Sequence, residues 1–164
     1  MLKDPHSNGT EGDIQIQNKL TTSLFDTFNH LVDEVNQIES LRAQLLELKS
    51  ALPGDQDGAP VGAAADELNG KLVEVEENLV QLKLTGRGQD NWRFAPKLAQ
   101  KIDYLEAEVE SGDFKPTTQA VAVHDELKEQ EAIYRQRLAL LVEKEVAAFN
   151  GLLRQRNIQN VIAR

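Results

Sequence analysis

The sequence predicts an all-α fold: an elongated antiparallel helical bundle of four helical segments, two long and two shorter. Three observations carry this. Apolar residues recur at intervals of three and four along most of the chain, no stretch alternates with the period of a strand, and the breaks are built from Pro and Gly. With 164 residues and 40% hydrophobic content the chain suits a single domain, 1–164. Aromatics at 5% leave its core to Leu, Val, Ile and Ala.

The first helix is predicted over 12–51, after an extended lead-in at 1–11. Leu24, Phe28, Leu31, Val35 and Ile38 step by four and three, and Leu41, Leu45, Leu48 and Leu52 resume the stripe after a three-residue slip. Thr10 followed by Asp13 resembles a capping box with Asp in place of Glu, and "LPGDQDGAP" at 52–60 is the stop. The second helix, 61–85, carries Leu68, Leu72, Val75, Leu79 and Leu82 beside an acidic face, "EVEENL" at 74–79. Gly70 within it costs about 1 kcal/mol against Ala unless a neighbouring helix needs the close approach.

Leu98, Ile102, Leu105 and Val109 define a third helix, 96–110, with Pro96 near its first turn and "SGD" at 111–113 as its stop. The fourth, 117–157, has Thr117 or Thr118 as N-cap and an apolar face of Ala120, Val123, Leu127, Tyr134, Leu138, Leu141, Ala148 and Leu152; residues 158–164 form a tail. At the α-helical rise it spans about 60 Å, which only another long helix or two shorter ones end to end can cover. The first helix matches it in length. The alternative to a four-helix bundle is therefore a three-helix rod with a broken middle helix, the second and third segments lying end to end.

The charge is uneven. Residues 1–127 hold 11 Lys and Arg against 23 Asp and Glu, whereas 128–164 hold 7 against 4. An acidic body of this kind repels phosphate backbones, so no nucleic acid is expected as a partner despite Arg135, Arg137, Arg154, Arg156 and Arg164. Cations late in a helix answer its dipole. No apolar run is long enough for membrane insertion, and without cysteine there are no disulfides and no thiolate metal sites.

Catalytic chemistry finds no foothold. His6, His30 and His124 are scattered, no Glu-x-x-His pair exists, and neither a nucleophile elbow nor a phosphate-binding glycine loop is present. No metal, no cofactor and no catalytic residue is expected. His30 and Glu34, four apart, read as a surface contact, and the carboxylates as solvated helix faces. "HDEL" at 124–127 lies inside a helix, not at a free C-terminus, and the sequon "NGT" at 8–10 already spends Thr10 on a cap.

One stretch interrupts the helical pattern: "LTGRGQDNWRFAPKL" at 84–98. It holds Trp92, the chain's single tryptophan, between Arg87 and Arg93, an arrangement able to contact an anionic or sugar-like group. Its other reading is a joint. Gly86 and Gly88 then stop the second helix, Trp92 and Phe94 plug the loop onto the bundle, and Pro96 starts the third helix. The joint is the preferred reading, although it needs neither arginine.

Four segments carry a family resemblance: "LKDPHSNGTEGDIQIQ" at 2–17, "VNQIESLRAQL" at 35–45, "PKLAQKIDYLEAEVESGDFKPTTQA" at 96–120 and "AFNGLLRQRNI" at 148–158. Together they resemble the C-terminal helical region of sortilin-like BNR-repeat proteins of the glycosyl hydrolase type. The resemblance implies an upstream β-propeller, with "LKDP" as the exit from its last blade, and an extracytoplasmic setting. It implies no hydrolase activity here, because the Asp-box and the strand-rich repeats are lacking. The expected role is a non-catalytic accessory domain that packs on its own upstream β-propeller domain, on a protein partner or, as a possible homodimer, on a second copy. The alternative is a small-ligand or glycan-binding module using the loop 86–95.

Overall fold

Four helices pack against one another: α1 (Glu11–Ala51), α2 (Ala59–Leu79), α4 (Leu98–Val109) and a long rod made of α5 (Thr118–Leu141) and α6 (Ala147–Gln155) fused by a π-helical turn, Val142–Val146. A single turn, α3 (Asp90–Arg93), lies in the connection between α2 and α4. The computed structural model describes residues 9–52 and 58–163, with the side chain of Asn91 left aside. Most of the expected lead-in and the centre of the 52–60 stop therefore lie outside the described residues.

The expected caps are in place. Thr10 Oγ1 accepts the Asp13 amide at 3.1 Å, and Asp13 Oδ2 accepts the Thr10 amide at 3.0 Å, which completes the box that opens α1. Thr117 Oγ1 accepts the Ala120 amide at 3.0 Å and opens α5. α6 ends in a Schellman motif: Asn157 takes φ +57°, Ile158 donates to the Leu153 carbonyl and Asn157 to that of Arg154. The chain after it folds back rather than trailing. Asn150 brackets Val161 with two hydrogen bonds, Gln44 on α1 brackets Ile162 with two more, and Val161 is buried.

Of the two expected arrangements, the cross-helix bonds match the three-helix rod. Arg42 on α1 reaches Asn69 and Glu76 on α2, and Lys49 reaches Asp66 at 2.6 Å, so α2 runs antiparallel along the C-terminal half of α1. At the other end Gln17 donates to the carbonyls of Val109 at 2.6 Å and Gly112 at 2.8 Å, so α4 continues in the direction of α2. α5 starts beside Ser23, where His124 Nε2 meets the hydroxyl at 2.9 Å, and runs parallel to α1.

Two elements depart from the periodicity. The second helix stops at Leu79, not 85, and Leu82 is exposed. Nothing in "VQLKLT" at 80–85 breaks a helix, but α4 covers the neighbouring stretch of the same flank of α1, and a longer α2 would run into it. In the fourth helix Val123 and Ala148 are exposed and Leu152 is only half-buried. Up to Leu138 the buried positions follow the helical repeat; the π turn then inserts one residue and hands the inward face to Val146, Phe149 and Leu153. Glu145, turned outward by the same shift, meets Lys71 of α2 at 2.9 Å.

The core is a cluster of aliphatic side chains, with Leu24, Leu31, Ile38 and Leu45 at heptad spacing on α1. Polar groups are buried within it, contrary to the expectation of solvated acids. Glu76 is fully buried and pairs with Arg42; burial lifts its carboxyl above the ordinary value, and the guanidinium opposes this without cancelling it. Glu34 belongs inside, not on the surface with His30. It faces Glu131 of α5, both nearly fully buried, and among the described residues Arg135, 3.5 Å from Glu131, is the cation that balances them. As carboxylates, both oxygens of Glu34 and one of Glu131 lack a hydrogen-bond partner. Burial first, then the hydrogen bond and charge of Glu131, push Glu34 up to about 8.

Two outcomes follow from this packing. Glu34 in the unfolded chain ionises near its ordinary 4.5, so between there and about 8 the folded state holds a proton that the unfolded state has lost. Stability falls as pH rises through that window. Urea titrations at several pH values should show this slope in the native protein and flatten it in Glu34→Gln. Gly70 lies exposed in mid-helix, and a Cβ there meets nothing within 4 Å. Gly70→Ala should accordingly raise the unfolding free energy by about 1 kcal/mol in the same assay.

Candidate functional site

The joint between α2 and α4 is built around Asp90, a residue that periodicity and motif searches pass over. Its carboxylate accepts the Thr85 amide at 2.6 Å, the Thr85 hydroxyl at 3.0 Å and the Arg87 amide at 3.2 Å, with the Gly86 amide directed at it as well. Successive amides converging on one anion form a nest. Burial raises the Asp90 carboxyl, but the amide and hydroxyl donors outweigh it and hold the group below its ordinary value. Gly86 sits at φ +77°, the left-handed region, which explains the glycine at this turn. It shapes the nest, then, and does not cap α2, which ended seven residues earlier; Gly88 likewise lies beyond that end.

A second clasp closes the base of the loop, where Gln81 donates to the Ala95 carbonyl at 2.9 Å. Pro96 precedes the N-cap Lys97, whose amide is accepted by Gln100 Oε1 at 2.9 Å. The joint is thus held by its own polar contacts, and α3 closes on the Asp90 carbonyl through the Phe94 amide.

Trp92 is not a plug. It is 92% exposed, on a turn whose neighbours fix its backbone. Arg87 and Arg93 are exposed too; Arg93 approaches only Gln89 at 3.4 Å, and neither guanidinium has an ion-pair partner among the described residues. The cleft at the base of the loop, about 260 Å³, is lined by Gln81, Leu84, Phe94, Ala95, Pro96, Gln100 and Asp103, and by none of Arg87, Trp92 and Arg93. The structure places the three together on one loop but not around one cavity. The anion-binding concavity beside them is filled by Asp90.

Pro96 also borders a larger groove, about 520 Å³, between α4 and α5. Tyr104, Leu105, Ala120, Val123 and Leu127 give it an apolar floor, and Tyr104 is 73% exposed. Cleft and groove share Pro96, and Leu84, Tyr104 and Val123 along them are exposed, as are Leu82 and Trp92 of the joint. The exposed tryptophan was legible in the sequence as an unusual residue. The groove was not, because Val123 continues the apolar period and Tyr104 falls outside it.

No group of three or more His, Asp and Glu able to hold a metal ion occurs among the described residues, and no described helix is long and apolar enough to cross a membrane. Removing the nest should loosen the joint alone. Asp90→Ala is expected to speed tryptic cleavage after Arg87 about tenfold while the helical circular dichroism of the rod persists; cleavage at the native rate would show that the clasp at Gln81 suffices. Comparison with family models, with curated proteins and with solved structures found no match to this chain.

Proposed function

We propose that this chain is a non-catalytic helical accessory domain that works by protein–protein packing or self-association. The observation that supports it is the exposure of Trp92 on a backbone pinned by Asp90, in a joint whose Pro96 borders the groove of Tyr104 and Val123. A tryptophan left almost wholly in water forgoes a large gain in apolar burial, and aromatic anchors of this kind are what protein interfaces cover. Held rigid beforehand, the side chain loses little entropy when it is covered. Under the resemblance of the four sequence segments, one such partner is an upstream β-propeller.

The alternative reading, a glycan- or ligand-binding module using the loop 86–95 with Arg87, Trp92 and Arg93, draws on their shared exposure and on arginines without a carboxylate partner among the described residues. Sedimentation velocity over a wide concentration range, combined with a thermal-shift screen of sugars and phosphorylated compounds, separates the two. Packing predicts association that weakens in Trp92→Ser with Tyr104→Ser and no small-molecule shift. A compound that raises the melting temperature by several degrees, and no longer does so in Trp92→Ser, would establish the ligand reading instead.

A further inference from the structure

The joint concentrates positive charge on an acidic molecule. Residues 81–97 hold four Lys or Arg against one carboxylate, while the rest of the chain holds 14 against 26. The one carboxylate, Asp90, faces inward and is consumed by loop amides. Lys83, Arg87, Arg93 and Lys97 have no ion-pair partner among the described residues. The same segment carries the exposed apolar side chains Leu82, Leu84 and Trp92.

One flank of α1 carries the converse pattern. Phe25, Val32 and Leu46 are 55%, 38% and 72% exposed and fall on a single heptad seam whose remaining member is Glu39. Beside them lie Asp26, Asp33 and Glu47, and all four carboxylates are exposed and free of ion pairs among the described residues. The basic neighbours of the seam, Arg42 and Lys49, which line one hollow with Glu39 and Leu46, are spent on Glu76 and Asp66 of α2. This flank is left acidic and partly apolar.

Resting on the packing function above, we propose that the joint loop of one copy docks on this flank of α1 in a second copy. Leu82, Leu84 and Trp92 cover Phe25 and Val32, while Lys83, Arg87, Arg93 and Lys97 meet Asp26, Asp33 and Glu39. Charge complementarity selects this occupant. The four unpaired cations of the loop answer the four unpaired carboxylates of the flank, and both sets surround exposed apolar side chains. Two-fold pairing engages the contact twice, which brings a small loop toward the area a stable dimer needs. Leu46 and Glu47 extend the seam beyond the loop's immediate reach.

The test uses the full chain and its single tryptophan. Sedimentation velocity should show a concentration-dependent dimer, and Trp92 emission should shift to the blue along the same curve. Arg87→Glu with Arg93→Glu should weaken association at least about tenfold, as should Asp26→Lys with Asp33→Lys, and an equimolar mixture of the two variants should regain it. Because these side chains are exposed and unpaired, neither variant should melt below the native protein; Asp33→Lys removes a negative charge that bears on buried Glu34. A monomer at every concentration overturns the proposal. So does a dimer that survives both charge reversals; if that dimer weakens in Trp92→Ser with Tyr104→Ser, the packing function stands and only the occupant is wrong. A blue shift given solely by vesicles of phosphatidylcholine and phosphatidylglycerol, with the protein monomeric in solution, assigns the loop to a lipid surface and also overturns it.

Discussion

The apolar stripe that runs along α1 from Leu20 to Leu45 must be covered over its whole length, and the rest of the architecture answers that requirement. A helix of 41 residues is about 60 Å long, far beyond the reach of a single short helix. One flank is met by the continuous rod of α5 and α6. The other is met by two helices in succession, α2 against the C-terminal half and α4 against the N-terminal half, and that succession creates the joint. Everything unusual about residues 80–97 follows from placing two helix ends side by side on one groove.

Joining helices in this way exposes polar backbone at both ends, and the chain supplies partners locally. Asp90 takes the amides of Thr85 and Arg87, Gln81 takes the carbonyl of Ala95, and Gln100 takes the amide of Lys97. Because the loop satisfies itself, its side chains are left for the outside. Trp92, Leu82 and Leu84 face water, and the cations of the loop find no carboxylate among the described residues. The apolar exterior is a consequence of a well-made joint and not of a poorly packed one.

How much of this was legible in the sequence varies with the range of the interaction. Thr10 with Asp13 and Thr117 with Ala120 are contacts three residues apart, and both were readable. The stripe of Leu98, Ile102, Leu105 and Val109 is buried throughout, as its spacing implies. The end of α2 was not readable, because it is imposed by α4 nearby and not by any residue in 80–85. Nor was the π turn, since one inserted residue leaves no signature in an apolar pattern that already tolerates steps of three and four. Of the loop, the sequence disclosed Arg87, Trp92 and Arg93 as a group but misjudged Trp92 as a plug. Whether an aromatic residue faces in or out depends on what the opposing helix leaves vacant. Asp90 was invisible because an acid between Gln and Asn in a loop has no distinguishing neighbour.

The buried acids bear on a further problem that a Leu-rich rod must solve. Leu24, Leu31, Ile38 and Leu45 repeat at equal spacing, so a partner helix displaced by one heptad would meet nearly the same apolar surface. Polar groups at unequal positions break that degeneracy. A displaced α2 would carry Glu76 away from Arg42, and a displaced α4 would strip Gln17 of its two carbonyls. Each mismatch leaves a buried polar group without a partner, which costs more than the apolar contacts of the slide return. Burying such a group still costs something in the native register, as the raised Glu76 carboxyl shows, so the register is fixed by what the alternatives lose.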